Sequence, residues 1–214
     1  MGARAMRSRR VVRCDGCALP PALCICAELP RIAVRTRVIV LAHRNEAPKS
    51  TNTGRFVARM LEGAELRVRG ARDPDAARPL PPGHKVVLFP APGARELRPE
   101  DASGPLVLLV PDGSWSQARK AVRRDPALAG VDAVTLPRGL CSRYRLRRSP
   151  RDGGLCTLEA IAHALGVLED PSVQARMLRV LDRFVERVLA VRSGRAGHAW
   201  QVASDLLTAD GQLR

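Results

Sequence analysis

The stretch Leu106 to Lys120, LVLLVPDGSWSQARK, limits the fold of this chain more than any other. Five aliphatic residues in a row, Leu106 to Val110, suit a strand covered on both faces, as in a parallel sheet. Pro111, Asp112 and Gly113 then stop the strand, and Ser114 is an N-cap for a helix running through Arg124. Asp112 therefore falls just beyond the carboxyl end of a strand, where open α/β sheets gather their ligand sites. A carboxylate there can act as a base. Taken alone, D-G-S-W is an ordinary turn, with Asp112 and Gly113 as turn residues and Trp115 as core.

The rest of the chain alternates strands and helices around this unit. Val34 to Leu41 reads as a first strand, and Thr51 to Leu61 as a helix with Phe56, Val57, Met60 and Leu61 on one face. Arg67 to Lys85, rich in Pro, Asp and Arg, is expected to form irregular loops. Val86 to Phe89 reads as a second buried strand, Leu106 to Val110 as the third and Val131 to Leu136 as the fourth. Two amphipathic helices follow, Thr157 to Leu168 and Ser172 to Val191, with Thr157 as an N-cap. Val173, Met177, Val180, Leu181, Phe184 and Val188 are the expected core of the second. The alternation predicts an α/β fold with a mainly parallel sheet and flanking helices.

Four of the six cysteines, Cys14, Cys17, Cys24 and Cys26, are clustered as C-x2-C-x6-C-x-C. Without a secretion signal, clustered thiols favour metal ligation over disulfides, and four thiolates close a tetrahedral zinc site. The alternative is a set of reactive thiols. The 36 Lys and Arg against 21 Asp and Glu give a formal charge of +15, which favours polyanionic partners such as nucleic acid. Only Lys49, Lys85 and Lys120 are lysines, so the charge is nearly all arginine, as a GC-rich genome alone would produce. Placement therefore carries more weight than number. Pro137 to Arg151 holds six arginines, one tyrosine and no acid, a mixture suited to phosphates and an exposed base. The arginine-rich first 13 residues read equally as a solvated tail or an RNA-contacting arm.

The motifs have a distinctive order. Behind the cysteines come His43-Arg44-Asn45-Glu46, Thr51-Asn52-Thr53-Gly54, Leu88-Phe89-Pro90, Asp112-Gly113-Ser114-Trp115, Tyr144-Arg145-Leu146-Arg147-Arg148-Ser149-Pro150 and Thr157-Leu158-Glu159-Ala160. From about Cys14 to about Val188 the chain resembles the DTW-domain family of tRNA-uridine aminocarboxypropyltransferases. The resemblance implies a SPOUT-like α/β domain, of which a knotted chain is one form, and a structural zinc module held by the four clustered cysteines. It implies transfer of the 3-amino-3-carboxypropyl group of S-adenosylmethionine to N3 of a tRNA uridine, with methylthioadenosine released. Asp112 and Glu159 are then the expected catalytic residues. Leu88, Pro90, Asp112, Ser114, Trp115 and Thr157 would meet the cofactor. His43, Glu46, Asn52, Thr53, Tyr144, Arg145, Arg147 and Arg148 would meet the substrate, with the arginines shared between tRNA phosphates and the amino acid carboxylate. Ser114 replaces the family's threonine and keeps its hydroxyl, while the His43 loop lacks a proline often found there.

The expected organisation is a basic arm and four-cysteine zinc module over 1–30, a DTW domain over 31–192 and a poorly ordered tail over 193–214. Two other function classes remain open: a SPOUT-like RNA methyltransferase, whose product would be S-adenosylhomocysteine, and a non-enzymatic zinc-containing RNA-binding protein. There is no Walker motif, no GxGxxG after a strand and no HExxH. No apolar run nears the roughly 20 residues of a membrane helix, and no signal-peptide core follows the basic start. The expected location is the cytoplasm and the expected partner tRNA, with a monomer as the default state.

Overall fold

A computed structural model of the protein describes residues 12–70, 78–147 and 154–193. The expectations for the N-terminal arm, for Arg148 and for the tail from 194 onward lie outside these residues, as does part of the expected loop region before Lys85. The strands are β1 (Arg37–His43), β2 (Glu65–Arg69), β3 (His84–Leu88), β4 (Arg95–Glu96), β5 (Leu106–Asp112) and β6 (Asp132–Thr135). The helices are α1 (Gly54–Met60), α2 (Trp115–Arg124), α3 (Thr157–Leu168) and α4 (Pro171–Arg192).

All six strands join one sheet in the order β2-β1-β5-β3-β6-β4, and every pairing is parallel. The strand β5 lies near the middle, between β1 and β3, and all seven of its residues are buried. Alternate side chains of β1 and β5 feed two cores. Val38, Val40, Leu106, Leu108 and Val110 pack with α1, α3 and α4, whereas Ile39, Leu41, Val107 and Leu109 pack with Ala118 of α2. The layers are thus helix, sheet, helix. Phe56 of α1 meets Phe184 of α4 edge to face, with centroids 4.8 Å apart. That contact ties α1 to α4.

The structure corrects the sequence expectations in several places. The expected first strand, Val34 to Leu41, starts and ends later, at Arg37–His43, which takes His43 into β1. The expected helix from Thr51 begins only at Gly54, because Thr51 to Thr53 form the loop that enters it. Residues Glu65–Arg69 reach into the stretch expected to be looped from Arg67, yet they form the edge strand β2. Its charge hid it. Arg67 is buried at 3% exposure because its guanidinium is paired with Glu65 and donates to the carbonyls of Arg78 and Pro79. Thr157 is the first residue of α3 rather than its cap, since Cys156 holds the N-cap position. Helix α4 begins at Pro171, capped by the Asp170 side chain on the Ser172 amide, and Val188 is only partly buried.

The cysteine segment is built onto the main core. Cys17, Leu19, Leu23 and Ile25 share the cluster of β1, α1 and α4. Arg187 of α4 donates to the carbonyls of Leu23 and Cys24 and pairs, like Arg183, with Glu28. Ile32 adds a parallel bridge to Leu61.

Candidate active site and cysteine cluster

Strand β5 runs two residues past the expected end at Val110, pairing Pro111 and Asp112 with Leu41 and Ala42, so Asp112 is its last residue rather than one beyond it, and is only 7% exposed. Its Oδ2 accepts from Asn52 Nδ2 at 2.6 Å and its Oδ1 from the Thr157 hydroxyl at 2.5 Å. Burial pushes its pKa up, and the hydrogen bonds from Thr157 and Asn52 offset only part of that rise. The loop before α1 is shaped around this carboxylate. Asn52 Oδ1 accepts the Arg55 amide, Thr53 Oγ1 accepts the Leu158 amide of α3, and a Cβ on Gly54 would lie 2.8 Å from Asp112 Oδ2. N-T-G is therefore the sequence that lets three elements close on Asp112. Asn52 and Thr53, expected at the substrate, are 3% and 4% exposed, and their side chains bond to the protein itself.

A second cluster lies beside the first. Glu46, 3% exposed, is paired with Lys49 and with Arg147, whose Nη1 donates to Oε2 at 2.6 Å. Burial alone would raise its pKa, but the Lys49 and Arg147 cations together hold the carboxyl below its ordinary range. Arg147 Nε also donates to Thr51 Oγ1 at 2.8 Å, and the Tyr144 hydroxyl donates to the Thr51 carbonyl at 2.6 Å. The H-x-x-E, T-N-T-G and Y-x-x-R motifs, distant in sequence, are thus one hydrogen-bonded unit. His43 sits at the head of it, with Nδ1 accepting the Asn45 amide. Arg145 is exposed and makes no ion pair or hydrogen bond among the described residues.

Glu159, expected to be catalytic, is 1% exposed. Its carboxylate accepts from the Ser142 hydroxyl (2.7 Å), the Arg143 amide (2.5 Å) and the Cys156 amide (2.8 Å). It pins the 142–144 loop to the N-terminus of α3. Ser114 caps α2, its hydroxyl accepting from the Gln117 amide while Gln117 Oε1 takes the Ser114 amide.

A cavity of about 490 Å³ opens at the carboxyl ends of β3, β5 and β6. Leu88, Pro90, Trp115 and Thr157, four of the expected cofactor residues, line it, whereas Ser114 does not. Asp112 adjoins the cavity through its neighbours Pro111 and Gly113 and its bonding partner Thr157, all three of which are in the wall. Trp115 packs against Phe89, ring centroids 5.9 Å apart. After β6, Leu136, Pro137, Arg138 and Gly139 form one side; the stretch from Pro137 was expected to meet phosphates and an exposed base, but none of these four was among the expected cofactor residues. Arg138 is the single charged side chain among the described lining residues. The turn signal Pro137-Arg138-Gly139 at a strand end was the available clue.

The ligand atoms of Cys14, Cys17, Cys24 and Cys26 all lie within 4.8 Å of one another. Three sulfur pairs are separated by 3.5, 3.6 and 3.7 Å. A tetrahedron with zinc–sulfur bonds near 2.3 Å has edges of about 3.8 Å, so the set fits a closed structural zinc site. Backbone amides of Cys17 and then Gly16 lower the Cys14 thiol to about 6, while burial pushes Cys26 up to about 12. A cation is what would bring all four to thiolates. Backbone geometry serves the same end, with Ala18 at φ 60° closing the C-x2-C turn.

The model of one protein family, the DTW domain, matches residues 11–189. The chain belongs to the DTW-domain family. Similar proteins include tRNA-uridine aminocarboxypropyltransferase 2 of Drosophila melanogaster, 32% identical over 85% of this chain and 76% of that protein. The protein of the same name from Macaca fascicularis is 26% identical over 81% of this chain and 62% of its own length. Among solved structures, the SAM-dependent rRNA:acp-transferase Tsr3 from Vulcanisaeta distributa is similar over 78% of this chain and 84% of its own, at 18% identity and a TM-score of 0.49. Asp112, Asn52, Thr157, the cavity and the cysteine cluster all lie within the DTW-domain match.

Proposed function

We infer that this protein transfers the 3-amino-3-carboxypropyl group of S-adenosylmethionine to N3 of a uridine in tRNA, forming acp3U and releasing methylthioadenosine. The observation that carries this reading is the buried carboxylate of Asp112, held by Asn52 and Thr157 beside a cavity of about 490 Å³. It occurs in a family whose curated relatives bear that activity in their names.

The cavity suits the donor. Its volume is in the range of small-molecule sites, and Leu88, Phe89, Val110, Trp115 and Leu136 offer apolar walls for an adenine. Arg138 is the cation of the described wall and would meet the amino acid carboxylate. Bound there, S-adenosylmethionine supplies a carbon activated by the adjacent sulfonium, so positioning of the nucleophile provides much of the rate.

Uridine N3 is a weak nucleophile while it carries its proton. Asp112 takes that proton, and burial makes it a stronger base than an exposed aspartate. Asn52 and Thr157 are positioning residues, each fixing one carboxylate oxygen. Glu159 has three protein donors on its carboxylate, so we assign it the role of positioning the 142–144 loop rather than moving a proton. Glu46 plays a similar part for Arg147, leaving exposed Arg145 as the cation of that loop available to RNA phosphates. The four cysteines would hold a structural zinc ion. A SPOUT-like domain belongs to this reading and is supported by the all-parallel sheet with the site at its carboxyl ends.

The test is to incubate the protein with unmodified tRNA and S-adenosylmethionine and identify both products by mass spectrometry. Methylthioadenosine with a uridine carrying the aminocarboxypropyl mass is the expected pair. S-adenosylhomocysteine with a methylated nucleoside would make the protein a methyltransferase instead.

A further inference from the structure

Helix α2 starts at Trp115, directly after the turn that follows Asp112, and covers its face of the sheet beside the cavity. Its sequence, WSQARKAVRR, contains four cations and no acid. Trp115, Ala118 and Val122, spaced i, i+3, i+7, face the core formed with Phe89, Ile39 and Leu109. Arg119, Lys120, Arg123 and Arg124 are all exposed on the outer side.

These four differ from the ion-paired arginines of the protein. Arg37, Arg67, Arg69, Arg78, Arg95, Arg143, Arg147, Arg183 and Arg187 each have a carboxylate within salt-bridge distance. The four on α2 have no ion pair and no side-chain hydrogen bond among the described residues. They also repel one another, because Arg119 with Arg123 and Lys120 with Arg124 are like charges four apart, an arrangement that weakens a helix. The helix dipole accounts for Arg123 and Arg124 in the last turn but not for Arg119 and Lys120 near the middle. A general arginine bias does not account for Lys120, one of only three lysines in the chain.

We propose that the outer face of α2, with Arg119, Lys120, Arg123 and Arg124, is a docking rail for the RNA sugar-phosphate backbone beside the target uridine. This rests on the tRNA reading given above and names the surface that takes the RNA. The rail is about 15 Å long from Ser114 to Arg124. Its upper end is the cavity wall itself, since Gly113, Trp115 and Ala118 line the cavity. A strand held along α2 is thereby delivered to the cavity mouth. The contacts are electrostatic and insensitive to sequence, so they set affinity and salt dependence rather than the choice of base.

The experiment compares two double variants, Arg119→Gln with Lys120→Gln and Arg123→Gln with Arg124→Gln, against Arg31→Gln with Arg179→Gln. The control removes the same charge from exposed residues on the segment and helix across the sheet. Binding to an unmodified tRNA transcript is measured over a series of salt concentrations, with melting temperature as the check on folding. Each α2 variant should bind about tenfold more weakly, with a log-log salt slope shallower by about 1 to 2, and the control should match the parent. Unchanged affinity and slope in the α2 variants of a parent that forms acp3U would overturn the rail and leave the function intact. Weakened binding in a protein that forms no acp3U would keep the rail and sink the function. A parent that binds no tRNA overturns both. Vesicles of phosphatidylcholine with phosphatidylserine form the last arm: α2-dependent binding to them, with tRNA binding unaffected, also overturns the proposal.

Discussion

Two buried acids differ in how the protein holds their carboxylates. The place of Asp112 was legible to within two residues, because an aliphatic run followed by P-D-G marks the carboxyl end of a buried strand. What the sequence did not reveal is that Asn52 and Thr157 occupy one oxygen each. Asp112→Asn should lower kcat by about 10² to 10⁴-fold, the usual scale for loss of a general base. It should not lower stability at neutral pH. The folded pKa of Asp112 lies above its unfolded value of 3.8, so the ionised carboxylate is a cost that grows as pH rises through the folded value. A melting temperature equal to or above that of the parent at about pH 8 is the expected result. A carboxylate in the first turn of a helix also favours the helix dipole, so the sequence alone does not separate that role from catalysis for Glu159. Its three donors resolve the geometry, and Glu159→Ala should destabilise the fold by about 2–5 kcal/mol in denaturant titrations.

At the scale of elements, the site is a junction of the turn before α1, the end of β5 and the start of α3. Strong periodicity made α2, α3, α4 and β5 readable, and their ends moved by only a few residues. Strand β2 was not readable, because buried Arg67 and its partners Glu65 and Arg78 look like a polar loop until the carbonyls that satisfy the guanidinium are seen. The segment from Pro137 was read as suited to phosphates and an exposed base, but its place in the cavity wall depends on the strand order of the sheet, which local sequence does not contain. The junction predicts an unusual glycine result. Gly54→Ala favours a helix by propensity, yet its Cβ would stand 2.8 Å from Asp112 Oδ2. Activity should fall by at least about tenfold, equivalent to about 1.4 kcal/mol, and the melting temperature should fall too, because the Cβ also crowds buried Val40 Cγ1 at 3.1 Å. Glu46 gives the neighbouring cluster its acid sensitivity. Its carboxyl is held below the ordinary value of 4.5 by Lys49 and Arg147, so the stability it adds is present above that value and is lost as pH falls through the folded one. Differential scanning calorimetry from about pH 6 to about pH 3 should show a steeper loss in the parent than in Glu46→Gln.

At the scale of the molecule, the cysteine cluster and the candidate site around Asp112 share one framework. Helix α1 packs into the same core as Cys17, Leu19 and Leu23, and the loop that enters it brings Asn52 to Gly54 against Asp112. A chelator that strips a four-thiolate ion should therefore unfold the 14–29 segment and lower the melting temperature of the whole protein, not just of the module. The sequence motifs forecast the members of this framework, while their meeting required the crossover order of the sheet, which local periodicity does not contain. Asp112 is the centre of the proposed chemistry, as the base for aminocarboxypropyl transfer. The most direct measurement is the single-turnover rate of acp3U formation from about pH 5 to about pH 9, in the parent and in Asp112→Asn, at saturating tRNA and S-adenosylmethionine. The parent rate should rise through a pKa above the ordinary aspartate range and level off, and the variant should be slower by at least about 10²-fold without that limb. A variant that keeps the parent's rate and pH profile while binding both substrates would contradict Asp112 as the base.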